Sequence, residues 1–357
     1  MIRHGRDEAM AKNIRKAGSG ASGGERRAAI VRALDKRLAF KGELRFPCMP
    51  IMAEEFSTKL TTVWATLGRT LSLEESEELR NGLRAALTEG YVESPHGAIV
   101  VRWEAPPGGP VEYEAEFYPL SLKERYDEWT SSRTGPLFGA APDAKVMSLA
   151  ATLSDGAAVL DVGAGTGRNA LALAAKGHPT DAIELVPAFC KAMQDSAARS
   201  SLPLRVFEAD LLSATLRLET ARYGLALASE VLTNFGSVDE ARALFVHLAE
   251  ALVPGGLLLF NVFLGKNGYE PDRLARESGH TWIASLFSYS DLSFLTEELP
   301  FELVSDESVF EFEKAHTDPT AWPPTTWFES WSQGSNVFDM PVGKAPIELR
   351  WLVYRRK

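Results

Sequence analysis

The chain has 357 residues, 45% hydrophobic and 24% charged, the profile of a globular protein with room for two domains. Its formal charge of -10 removes the simplest electrostatic reason to expect a nucleic-acid partner, and no apolar run approaches the roughly 20 residues that cross a bilayer. Cys48 and Cys190 are too few and too far apart for a disulfide framework or a zinc site, which fits a reducing, cytoplasmic setting. The N-terminus lacks the apolar stretch and small-residue cleavage site of a secretory signal.

Charge is uneven along the chain. Residues 1–42 carry eleven Lys/Arg against four Asp/Glu, so the remainder is at about -17. Residues 1–27, with their run Gly18–Gly24, read as a disordered basic tail, or as an arm for an acidic partner. Residues 28–135 read as a smaller α+β accessory or lid domain. There, Ala28–Leu38 is expected to be a basic amphipathic helix, and Phe46–Pro50 a turn. Phe56, Leu60, Val63, Trp64 and Leu67 fall at helical spacing, and Ser72 with Glu75 opens a second helix that Gly90 closes. Ala98–Glu104 and Val111–Phe117 alternate as strands around Pro106–Pro110, so a hairpin is expected.

Beyond residue 136 the pattern becomes strand, helix, strand. Strands are predicted at Ala157–Val162, Thr180–Leu185, Leu204–Ala209, Gly224–Ala228 and Leu257–Val262, with helices between them. Phe301–Phe312 and Ile347–Tyr354 are also strand-like. Such alternation predicts an α/β, doubly wound, mostly parallel sheet, here of seven strands.

The chemistry concentrates in the turn after the first of these strands, where Asp161, Gly163, Ala164, Gly165 and Gly167 lead into a helix that starts near Asn169. Glycines let the backbone turn sharply and approach a ligand, and the helix presents free N–H groups. A dinucleotide turn follows the same logic, but its G-x-G-x-x-G pattern counted from Gly163 needs glycine where this chain has Arg168. The order acidic-x-G-x-G-x-G instead resembles motif I of the class I (Rossmann-like) S-adenosylmethionine-dependent methyltransferases. Other landmarks resemble the same family: Glu184 ends the second strand, 17 residues after Gly167, and is followed by Leu185; Asp210 and Leu211 follow the third strand; and Leu252–Gly256 precedes the fifth.

The resemblance covers residues 140–262 best and implies a methyltransferase domain over 136–357. It implies S-adenosyl-L-methionine as cofactor, S-adenosyl-L-homocysteine as product and no metal. Glu184 would take the ribose hydroxyls, and Asp210 and Leu211 the adenine. In related enzymes an aromatic segment before the core lies over the cofactor, a place Tyr126 and Trp129 would fill here, and Arg133 would reach the methionine carboxylate. Ser229 and Glu230 follow the fourth strand, at the carboxyl edge where ligands gather. Glu230, Tyr126 and His316 are the candidate catalytic groups, each with a plain structural role as the alternative. An Asn/Asp-Pro-Pro-aromatic motif is absent from that edge, which disfavours amino-methylation of DNA or glutamine. The insert 316–340 holds Trp322, Trp327 and Trp331, aromatic faces able to wall an acceptor pocket or simply to pack.

The expected function is methyl transfer to an O, N or S atom of a small or medium-sized molecule by direct in-line displacement. Alternatives are a peptide or protein acceptor docked through the N-terminal domain, a catalytically silent regulatory relative, or a nicotinamide-dependent oxidoreductase.

Overall fold

The computed structural model describes residues 22–120, 139–213 and 216–357. Ser22 closes a capping box with Glu25 and opens the helix Gly23–Asp35. This helix starts five residues earlier than the periodicity suggests and takes in residues 23–27, which the sequence reading assigns to the tail. It buries no side chain; Ile30, Val31 and Leu34 are exposed.

The next element was not anticipated. Phe40–Pro47 is a strand, β1, so Phe46 and Pro47 end a strand where a turn was expected. It pairs antiparallel with β2 (Ala98–Ala105), which pairs with β3 (Glu112–Tyr118), giving the order β1-β2-β3. The predicted hairpin is therefore two-thirds of a three-stranded sheet. Gly42 broke the apolar alternation for a steric reason: a Cβ there would lie 2.6 Å from the Trp103 indole of the facing strand. The helices Ala53–Thr66 and Leu73–Glu93 lay Phe56, Leu60, Trp64, Leu79, Leu83 and Leu87 against this sheet's inner face.

Among the described residues the second sheet has eight strands: β4 (Val159–Val162), β5 (Thr180–Glu184), β6 (Leu204–Glu208), β7 (Tyr223–Ala228), β8 (Leu252–Gly265), the two-residue β9 (Leu286–Phe287), β10 (Phe301–Ser308) and β11 (Ile347–Arg356). Seven of them run in the order β10-β11-β8-β7-β4-β5-β6, and β9 pairs with β8. β4 to β8 are parallel, while β11 lies antiparallel between β8 and β10. Alternating residues feed two cores: Leu160, Val162 and Phe260 on one face, Val159, Leu259 and Phe263 on the other. The Leu252–Gly256 segment lies within β8, where a register shift against β7 and the left-handed Gly255 (φ +82°) absorb it.

The expected strand Phe301–Phe312 stops at Ser308. Its hydroxyl caps the helix Val309–His316 by accepting from Glu311 N, a start signal that outweighs the apolar run. The two sheets meet through specific bonds. Ile51 N donates to Glu277 Oε2 at 3.0 Å, and the His96 ring nitrogens lie 2.8 and 3.0 Å from the His280 and Asn234 carbonyl oxygens. Both cysteines are buried, and burial pushes their thiols up, Cys48 to about 12 and Cys190 to about 11. Among the described residues, no helix is long and apolar enough to cross a membrane.

Candidate active site

Strand order reverses at β4, with β5 on one side and β7 on the other. Chain crossovers leave opposite faces there, so a crevice opens at the carboxyl ends of the strands. A cavity of about 710 Å³ occupies it, within the range of small-molecule sites.

The turn between β4 and the helix Arg168–Ala175 forms the floor. Gly163, Gly165 and Gly167 have φ of +66°, +56° and +88°, the left-handed region that side chains avoid. Space is short as well: a Cβ would lie 2.6 Å from Val231 Cγ2 at Gly163, and 2.4 Å from Met193 Cγ at Gly167. Gly167 sits behind the floor rather than in the cavity wall. Gly167→Ala is therefore expected to weaken nucleoside binding by about tenfold or more, from strain of about 1–2 kcal/mol plus displacement of Met193. Calorimetric titration checks this, and unchanged affinity would show that the turn does not shape the site.

Glu184, at the end of β5, holds this turn in place. Its Oε2 accepts from Gly165 N and its Oε1 from Val186 N, both at 2.8 Å. Each carboxylate oxygen can accept a second bond, so the group can anchor the turn and still face a ligand hydroxyl. Burial raises its pKa despite the backbone donors. Asp210, beyond β6, accepts from Leu212 N at 2.9 Å and lines the cavity beside Leu211. Ala164, Leu185, Asn169 and Ser229 also line it.

Opposite lies a charge network that the sequence did not reveal. Arg168 pairs through Nη1 with Asp143 and through Nη2 with Glu230 at 3.3 Å; its side chain is 10% exposed. Asp143 Oδ2 accepts from Asn169 Nδ2 at 2.9 Å and from Ser229 Oγ at 2.8 Å. Asp143 stands at the N-cap of the helix Ala144–Ala150, but its carboxylate turns inward. Glu313 caps that helix instead, accepting from Ala144 N at 2.7 Å and Lys145 N at 3.1 Å, with Trp351 Nε1 at 3.0 Å.

Glu230 is held on all sides. Its N–H donates to Asn261 Oδ1 at 2.7 Å, its carbonyl accepts from Thr233 and Asn234, and its φ is +59°. Such strain in a side-chain-bearing residue persists only where the surroundings enforce it. Burial, and then the charge on Asp143, pushes Asp161 up to about 8; burial pushes Glu230 to about 7 against the pull of Arg168. Glu313 rises to about 6, again by burial first.

The structure thus gathers around one cavity Asp161, Gly163, Ala164, Gly165, Asn169, Glu184, Leu185, Asp210, Leu211, Ser229, Glu230, Trp327 and Trp331. Besides Gly167, which sits behind the floor, two candidates fall elsewhere. His316 stacks on Phe312 at the exposed end of its helix, 4.2 Å between centroids, with Nδ1 2.8 Å from the Phe312 carbonyl oxygen. Trp322 packs edge-on against Phe310 and Phe328, filling a core rather than the cavity wall. Tyr126, Trp129 and Arg133 lie outside the described residues. The sequence reading missed Asp143, Arg168, His96, Asn234 and Trp282 as parts of this site. Among the described residues, no group of three His, Cys, Asp or Glu is arranged to hold a metal ion.

Residues 159–256 match the family model of a methyltransferase domain. That segment holds the glycine turn, Glu184 and Asp210 at the carboxyl edge of the sheet, and over it the chain is similar to S-adenosylmethionine-dependent methyltransferases. No curated protein matches it. Solved structures with a similar fold include the [4+2]-cyclase SpnF, at 18% identity, covering 66% of this chain and 94% of that one, with a TM-score of 0.46. A TehB-like S-adenosylmethionine-dependent methyltransferase from Corynebacterium glutamicum shares 16% identity over 66% of this chain and 95% of its own, with a TM-score of 0.40. Geranyl diphosphate C-methyltransferase from Streptomyces coelicolor shares 12% over 60% and 77%, with a TM-score of 0.44. These likenesses are of fold alone.

Proposed function

We propose that the protein moves a methyl group from S-adenosyl-L-methionine to an O, N or S atom of a small or medium-sized molecule by direct in-line displacement. When bound, S-adenosyl-L-methionine supplies a methyl carried on a sulfonium; the new bond forms as the carbon–sulfur bond breaks, and the electron pair stays on sulfur in S-adenosyl-L-homocysteine. The observation that carries this reading is a left-handed glycine turn in which a Cβ at Gly163 or Gly167 would strike Val231 or Met193, set among carboxylates with too little positive charge among the described residues to match them. Asp161, Glu184, Asp210 and Glu230 line the cavity, and Arg168 is already divided between Asp143 and Glu230. A cationic ligand relieves that excess, whereas a pyrophosphate would aggravate it.

The residues then divide the work. The glycine turn and Glu184 fix the ribose and the methionine backbone, and Asp210 with Leu211 receives the adenine. Glu230, at the end of β7, takes up the proton of an acceptor that must lose one. In-line transfer from an activated donor asks mainly for alignment and exclusion of water, which the N-terminal sheet domain assists by placing Pro95 and His96 on the cavity rim. The aromatic lining and moderate volume of the cavity favour a small acceptor over a peptide.

Titration tests the charge argument. Asp161 and Glu230 have folded-state pKa values above their ordinary ones, so their neutral forms stabilise the fold and that stability is lost as pH rises towards about 8. The melting temperature without ligand is expected to fall between about pH 5 and pH 8, and to fall less with saturating S-adenosyl-L-methionine. S-adenosyl-L-homocysteine, which has the same α-amine but no sulfonium, should blunt the fall less. A melting temperature that rises with pH in this window, or identical protection by both nucleosides, would count against the cationic fit. No heat of binding for either nucleoside at high concentration would sink the methyltransferase reading.

A further inference from the structure

Resting on that reading, we propose that the acceptor is an amine with a flat apolar body, bound uncharged or as its ammonium, and that the cavity rejects acceptors bearing a carboxylate or phosphate. The cavity is also lined by Phe235, Trp282, Ile283, Trp327 and Trp331. Trp331 is fixed there by edge-on contacts with Phe263 at 5.1 Å and Trp327 at 5.4 Å, a rigid wall for a flat ligand. Trp282, 48% exposed, stands at the rim.

Charge selects within that shape. Among the described lining residues, Glu93, Glu230 and Glu240 supply carboxylates beyond those at the cofactor end, and Arg168 is the one strong base. Arg168 is committed to Asp143 and Glu230. An anion entering here would meet the like charge of the carboxylates among the described lining residues, a form of rejection a site can build. An ammonium meets carboxylates and indole faces instead.

Asn234 adds an independent sign. Its Nδ2 donates to the Glu230 carbonyl oxygen at 2.8 Å, which fixes the amide, and its buried Oδ1 has no donor among the described residues. A ligand N–H is the group this wall lacks, once the wall shifts to admit it. The ammonium must lose a proton before its lone pair is free to form the new carbon–nitrogen bond, and Glu230, a carboxylate lining the same cavity, would take it.

The test is calorimetric and needs no turnover. The full-length protein, with and without saturating S-adenosyl-L-homocysteine, is titrated with tryptamine and phenethylamine, and with their acid counterparts indole-3-propionate and 3-phenylpropionate. The amines are expected to bind about tenfold more tightly than the acids. Trp327→Ala should weaken the amines by about tenfold and leave S-adenosyl-L-homocysteine affinity within about twofold, and Trp327→Phe should restore most of the loss. Amines that fail to bind, or bind no better than the acids, overturn the proposal, as does indifference to both Trp327 variants. A protein that takes the amines but not the nucleoside instead overturns the methyltransferase reading.

Discussion

Replacing Arg168 with methionine is expected to lower folding stability by about 3–5 kcal/mol at pH 8, the range for removing one partner of a buried ion pair. The side chain is 10% exposed, its partners Asp143 and Glu230 are 6% and 18% exposed, and Asp161 lies within its field. Without the guanidinium, three carboxylates share a water-poor space with no cation among their described neighbours. Asp161 and Glu230 then hold a proton to higher pH, so the loss should shrink as pH falls towards about 5.5. Urea denaturation at the two pH values reads this directly. Arg168→Met combined with Asp143→Asn should recover part of the stability, because one of the stranded charges is gone. A loss below about 1 kcal/mol that does not change with pH would mean the network is a solvated surface cluster. The variant should also move the acid limb of any pH–rate profile upwards, since Arg168 is what opposes the burial of Glu230.

Glu184→Ala is expected to weaken S-adenosyl-L-homocysteine by about 100-fold. The carboxylate, 6% exposed, makes two charge-assisted bonds to the turn, each in a class worth about 1.5–3 kcal/mol. Its loss would remove the proposed ribose anchor and free Gly165 and Val186 to move. Glu184→Gln keeps one acceptor oxygen and should lose roughly half of that free energy. Titration of both variants separates the two contributions, and an alanine variant within about threefold of the parent would remove Glu184 from the binding machinery.

Particular elements show where the sequence was legible. The glycine turn, Glu184 and Asp210 lie within 50 residues of one another, and each is dictated by local geometry: left-handed backbone at the turn, a carboxylate at the end of a buried strand. The alternation of strands and helices exposed the parallel order for the same reason. β1 escaped because Gly42 replaces the apolar residue that its period demands, and Trp103, sixty-one positions away, supplies the reason. The end of β10 escaped because an apolar run cannot tell a strand from the helix that Ser308 starts. Arg168 was informative as a missing glycine, while its pairing with Asp143 and Glu230 had no local signature.

The sequence by itself thus determined the fold class and the glycine turn with Glu184 and Asp210 near it, since these follow from backbone conformations and periods that a short segment sets alone. The tertiary structure decided the rest. Glu313 caps a helix 169 residues away, and Glu230 is held by an amide 31 residues on. It also sent His316 and Trp322 away from the cavity and brought Trp282, His96 and Asn234 into it. Burial and charge pairing arise only when distant elements pack, and they set the pKa of Asp161 and Glu230 and the character of the cavity.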